Sequence, residues 1–194
     1  MPDGGSLELR LRLIVMDYEM RPVRVLALKD IGPLPLPQGI VNIRRGDELE
    51  MPRWQARILS EEGAVEIRER ALDIDTINMY HYREKRGQAA NQLQGLPQDF
   101  YMAARDLIVK LNEMIRESPS TMLIRDREVL EKNLIDLAET RLSKIIRLAV
   151  SGGEEFKERM TPEEGIVYDR LRGVVEAWRR YAREIAGGGS GERG

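Results

Sequence analysis

The sequence predicts an α+β chain: a small N-terminal β-rich domain with one helix, followed by a mostly α-helical bundle domain. Two observations carry that expectation. Over the first seventy positions, short apolar runs alternate with polar residues, the period of a strand with one buried face. From Leu72 onward apolar residues recur at intervals of three and four, the period of an amphipathic helix. The predicted divisions are a β-rich unit over 1–70, a helical unit over 71–186 and a flexible Gly-rich tail over 187–194, with a hinge around Arg68–Asp73.

In the first unit, Leu7–Val15 alternates before becoming continuously apolar and is read as a strand. Pro22–Lys29 is read as a second. Asp30–Gly39 carries three prolines in five positions. Proline lacks the backbone donor and fixes φ, so a stiff surface loop is expected there rather than a ladder strand. Ile40–Ile43 is a further strand, Arg45-Gly46-Asp47 a turn, and Glu48–Met51 a short returning strand. Pro52–Gly63 has proline at the start and glycine at the end, the signature of a short helix. Trp54, Ile58 and Leu59 fall near one face of it. Ala64–Ile67 closes the unit as a strand.

In the second unit, Asp73 or Asp75 caps a helix whose apolar positions are Ile74, Ile77, Tyr80 and His81. A second helix opens near Pro97, carries Phe100, Ala103, Leu107, Leu111 and Met114, and ends near Ser118-Pro119. A third runs from Ser120 or Thr121 to Val150 with Leu123, Leu130, Leu134, Leu137, Ile145 and Leu148 in its stripe. Thirty residues make about 45 Å of helix, so a bend or break is expected around Arg125–Glu128. Ser151–Glu155 is a breaker, and a short turn follows at Phe156–Met160. Thr161-Pro162-Glu163-Glu164 is a strong N-terminal signature: cap, proline, then acids in the first turn. The last helix presents Ile166, Val167, Leu171, Val174, Val175, Trp178 and Ile185.

Composition narrows the chemistry. The 194 residues include 33 acids, 31 bases, one histidine and no cysteine. A thiol nucleophile, a disulfide framework and a cysteine zinc site are therefore excluded, as is any metal site with two imidazoles. No apolar run approaches the roughly 20 residues of a bilayer span, and the N-terminus lacks the basic leader and apolar core of a signal peptide. A soluble intracellular protein is expected. Arginine supplies 25 of the 31 basic residues, which favours bidentate pairing at interfaces or with phosphates.

Few residues are candidates for catalysis. His81 has no second histidine to share a metal and is expected to pack or to hydrogen-bond at an interface. Glu61-Glu62, Glu154-Glu155 and Glu163-Glu164 lie at helix ends, where surface acids are common. No phosphate loop, H-E-x-x-H motif or dinucleotide-binding glycine pattern occurs. Arg141, Lys144 and Arg147 recur at spacings of three, and are read as a positive ridge about 9 Å long away from the apolar stripe. Such a ridge is first a solvated face or a partner for acids in the bundle, and second a phosphate-backbone contact. Tyr80, Tyr82, Phe100, Tyr101, Trp178 and Tyr181 supply more large rings than one narrow stripe needs, and such rings are enriched at interface hot spots. An assembly subunit is favoured over an enzyme.

Three segments together resemble subunits of the GINS complex, a replication-fork factor of archaea and eukaryotes. Ile40–Ile67, IVNIRRGDELEMPRWQARILSEEGAVEI, looks like the family's small B domain with its glycine-aspartate turn and PRW-led helix. Leu96–Leu111, LPQDFYMAARDLIVKL, resembles the start of the helical A domain. Asn133–Gly153 and Met160–Trp178, with TRLSKIIRLA and then TPEE, resemble its last helices. Having the small domain first is similar to the archaeal Gins23 type, akin to Psf2 and Psf3. Leu7–Val15 matches no motif of the family.

The resemblance implies a non-catalytic subunit without cofactor or metal, in a heterotetramer of two such chains with two sibling chains of the Gins51 or Gins15 type. That complex bridges the MCM helicase and a Cdc45/RecJ-like protein to activate fork unwinding, in the cytoplasm at the nucleoid, with at most weak DNA contact and no membrane. On that reading Phe100, Leu107, Leu134, Ile145, Leu171 and Trp178 build the bundle and subunit interface. Gly46, Pro52 and Trp54 fix the small domain, and Arg141, Lys144 and Arg147 make a charged contact. Two rivals are a stand-alone nucleic-acid-binding module gripping DNA through Arg44, Arg45, Arg53 and Arg57, and a small hydrolase using His81.

Overall fold

The computed structural model describes residues 6–69, 71–87 and 93–187. The chain divides into two compact units, Met1–Ala71 and Leu72–Gly194. The expected tail beyond Gly187, and Arg70 within the expected hinge, lie outside the described residues.

The first element corrects the sequence expectation. Leu7–Met20 is a helix, α1, rather than a strand. Ser6 caps it, its side chain accepting from the Leu9 N–H at 3.2 Å. The alternation of apolar and polar residues has a helical origin. At 100° per residue, Leu11, Ile14, Val15 and Tyr18 fall on one face and Leu9, Leu13, Met16 and Met20 on the opposite one. A helix that is apolar on two opposed faces imitates the period of a strand. Leu, Met, Arg and Glu also favour the helix intrinsically, and fourteen residues exceed an ordinary strand.

β1 (Pro22–Ala27) is central in a three-stranded antiparallel sheet, flanked by β4 (Glu48–Pro52) and β5 (Val65–Ile67). Its inward side chains Val23, Val25 and Ala27 are buried, alternating with Pro22 and Arg24 at the surface. They meet Met51, Val65 and Ala56 of helix α2 (Arg53–Glu61), forming one core with Leu36 and Ile43. Between β1 and β4 lies a separate ribbon of β2 (Gly32–Leu36) and β3 (Gly39–Ile43).

β2 is a second correction, since the proline-rich stretch was expected to be a loop. Pro33 and Pro35 stand opposite Asn42 and Ile40, two positions apart. Both prolyl nitrogens therefore fall on the same side of the strand. A two-stranded ribbon asks for donors only on the side facing its partner, so proline is tolerated on the other.

In the second unit Asp73 caps α3 (Ile74–Arg86), accepting from the Thr76 N–H at 2.7 Å. α4 (Phe100–Glu117) follows, then the 31-residue α5 (Thr121–Ser151). α5 runs unbroken through Arg125–Glu128, where a bend or break was expected. It ends at Gly152, whose φ of +93° is the left-handed cap that L side chains resist. A 3₁₀ turn, Glu154–Arg159, leads to α6 (Pro162–Ala186), which opens with a full capping box between Thr161 and Glu164.

α5 packs against α3, α4 and α6. It contributes to two apolar clusters along its length. Leu130 and Leu137 join Ile77, Leu96, Phe100, Ala104 and Leu111; Ile145, Leu148 and Ala149 join Leu93, Met160 and Tyr168. Among the described residues no helix is long and apolar enough to cross a membrane.

Candidate interaction surface

What separates the two clusters is charge. Leu130, Leu134, Leu137, Arg141, Lys144 and Leu148 follow one another at spacings of four and three, so Arg141 and Lys144 stand in the apolar stripe of α5 itself. Both are buried. The predicted basic ridge is therefore corrected: of its three members, only Arg147 is exposed. Arg141 and Lys144 instead take the alternative of pairing with acids inside the bundle.

All five N–H donors of Arg141 are used. Nε donates to Glu164 Oε1 at 2.6 Å and Nη2 to Glu164 Oε2 at 2.7 Å. Nη1 donates to Glu84 Oε2 at 2.8 Å and to the Gln94 carbonyl at 2.7 Å, and Nη2 also reaches the Arg159 carbonyl at 3.0 Å. Lys144 Nζ bonds the Glu84 carboxylate and, at 2.9 Å, the Glu84 carbonyl. Tyr101 on α4 donates its hydroxyl to Glu164 Oε1 at 2.7 Å.

Two cations face two carboxylates, so the group carries no net formal charge. Burial opposes the Arg141 charge, but its hydrogen bond to Glu164 and the fields of Glu164 and Glu84 hold the pKa above the usual guanidinium value. Burial first, then Glu164, pushes the Tyr101 hydroxyl far up. The network ties α3, α4, α5 and α6 together.

Glu164 is consequently no surface acid at a helix end. It serves the capping box, accepting from the Thr161 N–H at 3.0 Å, and the ion pair at once. Glu84 was not among the residues the sequence singled out, and Tyr101, expected as one of several interface rings, instead serves this buried network. The available signal was the register of Arg141 and Lys144 within the leucine repeat, which announces buried charge and hence a buried acid to meet it.

His81 Nε2 lies 2.6 Å from Asp136 Oδ2, and Lys85 pairs with the same carboxylate. Hydrogen bonds from Lys85, then His81, lower the Asp136 pKa. These contacts clasp α3 to α5. Among the described residues no group of three His, Cys, Asp or Glu could hold a metal ion.

The apolar candidates separate into two kinds. Phe100 and Ile145 are buried; Leu107, Leu134 and Leu171 are partly buried against the clusters. Phe100 meets Tyr80 and Tyr101 edge-on at ring separations of 5.4 and 5.5 Å, an arrangement aromatic quadrupoles favour. Trp178 is different. Val167, Leu171, Val174, Trp178, Tyr181 and Ile185 keep spacings of four and three along α6, yet Val174, Trp178, Tyr181 and Ile185 are 55–69% exposed. The repeat that packs α6 at its start therefore continues uncovered over its last three turns. Beside Trp178 lies a shallow depression of about 670 Å³ lined by Arg172, Glu176, Arg179, Arg180 and Arg183.

In the first unit, Gly46 adopts φ +92° in the turn after Arg45, and Pro52 is buried at the start of α2. Trp54 is 39% exposed and outside the core, where Ala56 and Leu59 take the inward positions. The four arginines of the nucleic-acid reading do not behave alike. Arg53 pairs with Glu69 at 2.5 Å and lies 4.3 Å over the Tyr18 ring; Arg57 approaches Glu19 and Glu61. Arg44 and Arg45 are exposed at the turn.

The chain matches no protein-family model and no curated protein sequence. The helical unit, held by a buried ion network, presents an uncovered heptad row with an arginine-rich flank.

Proposed function

We propose that this chain is a non-catalytic scaffold subunit of a GINS-type replication complex. In that role it assembles with an A-domain-first sibling of the Gins51 or Gins15 type. The assembly bridges an MCM helicase and a Cdc45/RecJ-like protein at the replication fork. The observation that carries the reading is the uncovered row Val174, Trp178, Tyr181 and Ile185 on α6. A row of that length in a monomer is an exposed apolar patch, and heptad spacing points to a helix as its cover. Arginines beside it favour acids on the partner's flank.

The sequence likeness supplies the identity of the assembly, and the order of a β-rich unit before a helical unit agrees with the Gins23 type. The bridging step is tested by sizing chromatography of the co-expressed subunit pair with an MCM ring and a RecJ-like protein from the same genome. Co-elution of all components, lost when the pair is omitted, is the expected result. Failure of the pair to carry the RecJ-like protein to the ring would remove the bridging role.

A further inference from the structure

Helix α1 has a second apolar face. Its inner residues Leu11, Ile14 and Val15 are partly covered and Tyr18 is buried, in the unit where α1 packs on α2. On the opposite side Leu9, Leu13, Met16 and Met20 are 51–63% exposed. Their spacings of four, three and four make a coiled-coil seam along about 16 Å of helix. Arg10 and Asp17 flank the seam on one side, Arg12 and Glu19 on the other.

We propose that this seam pairs antiparallel with α1 of a second copy of the chain. Rotation about the point between Ile14 and Val15 puts Leu9 against the partner's Met20 and Leu13 against the partner's Met16. In the same register Arg10 faces the partner's Asp17, and Arg12 faces the partner's Glu19. The twofold repeats each contact, giving four opposite-charge pairs and no like-charge pair along the flanks. A parallel pair would oppose only Arg12 and Asp17, twice. Charge therefore selects both the occupant and its direction.

Asp17 already pairs with Arg21 at 2.9 Å and Glu19 approaches Arg57 at 3.7 Å. Asp17 is 68% exposed, so a facing arginine joins its contact rather than displaces it, whereas Glu19 is only 19% exposed, so the Arg12–Glu19 pairs are the weaker two of the four. The seam is short, so the pair belongs at the small end of the interface range and is reversible with concentration. The inference is independent of the replication role, because it concerns only α1 in the first unit.

The absence of cysteine from the chain gives a direct test. Leu9→Cys and Met20→Cys are made separately in the full chain, and circular dichroism checks that each keeps the wild-type fold. Antiparallel pairing sets the two copies of position 9 about 16 Å apart along the axis, beyond disulfide reach. An equimolar mixture should form the mixed disulfide at twice the 22.3 kDa monomer mass, while neither variant alone should cross-link. Adding Leu13→Glu to both should cut the mixed product at least about tenfold, since it buries a charge in the seam. A disulfide of Leu9→Cys with itself would show parallel pairing and overturn the proposal. No mixed product from folded variants would overturn it as well.

Discussion

Arg141 on α5 grips Glu164 on α6 with two parallel hydrogen bonds, Nε to Oε1 at 2.6 Å and Nη2 to Oε2 at 2.7 Å, inside the helical unit. The same guanidinium reaches Glu84 on α3. Removing it leaves two buried carboxylates short of a cation, the costly way to break a buried pair. Arg141→Ala should lose about 3–5 kcal/mol in urea unfolding. Arg141→Lys should recover only part of that, because an ammonium cannot serve both oxygens of Glu164 and the Gln94 and Arg159 carbonyls together. An unchanged urea midpoint for Arg141→Ala would contradict the buried network.

Thr161 and Glu164 close the capping box of α6. Thr161→Ala removes the oxygen that accepts from the Glu164 N–H. The expected loss is about 1 kcal/mol, which calorimetry should register as a Tm lower by about 2–4 °C.

Asp136 gives the helical unit an acid-side dependence. Hydrogen bonds from Lys85 and His81 hold its carboxyl below the ordinary value of 3.8. A depressed folded pKa means stabilisation that is complete above the unfolded value and lost as pH falls through the folded one. Asp136→Asn should therefore unfold at lower temperature than wild type at pH 7, and the two should converge as pH falls below the ordinary carboxyl value. The effect is small because the carboxylate is partly exposed. Parallel Tm-against-pH curves for the two proteins would show that the clasp contributes nothing.

Gly46 donates its N–H to the Ala27 carbonyl at 2.8 Å, and Ala27 donates to Asp47 at 2.9 Å, so its turn locks β4 onto β1. A Cβ at Gly46 would meet nothing within 4 Å. The cost of Gly46→Ala is then purely that of a positive φ, about 1–2 kcal/mol. Gly46→Asn should cost less, since asparagine tolerates that region. Hydrogen exchange at Ala27 should quicken in that order.

The places where sequence reading failed share a cause. The Pro22 and Thr161 starts were legible because capping and proline chemistry are local. α1 was not, because two opposed apolar faces on a helix give the alternation that marks a strand. β2 was not, because whether a proline breaks a ladder depends on which side of the strand has a neighbour. Arg141 and Lys144 looked like surface cations because their acids, Glu84 and Glu164, lie fifty-seven and twenty-three residues from Arg141. Trp178 read correctly as one position in an apolar repeat, yet no local signal says where that repeat runs out of intramolecular cover.

That uncovered repeat bears the central claim and can be weighed directly. The measurement is the absolute mass, by light scattering on a sizing column, of this chain co-expressed with an A-domain-first sibling, as wild type and as Trp178→Ala. The wild type should elute as one complex holding both chains in equal number. Trp178→Ala should keep the monomer's helicity and urea midpoint, because the ring is exposed, while the complex dissociates at concentrations where the wild type holds. Two chains that elute separately, or a complex indifferent to Trp178→Ala, would contradict the α6 seam as the assembly surface.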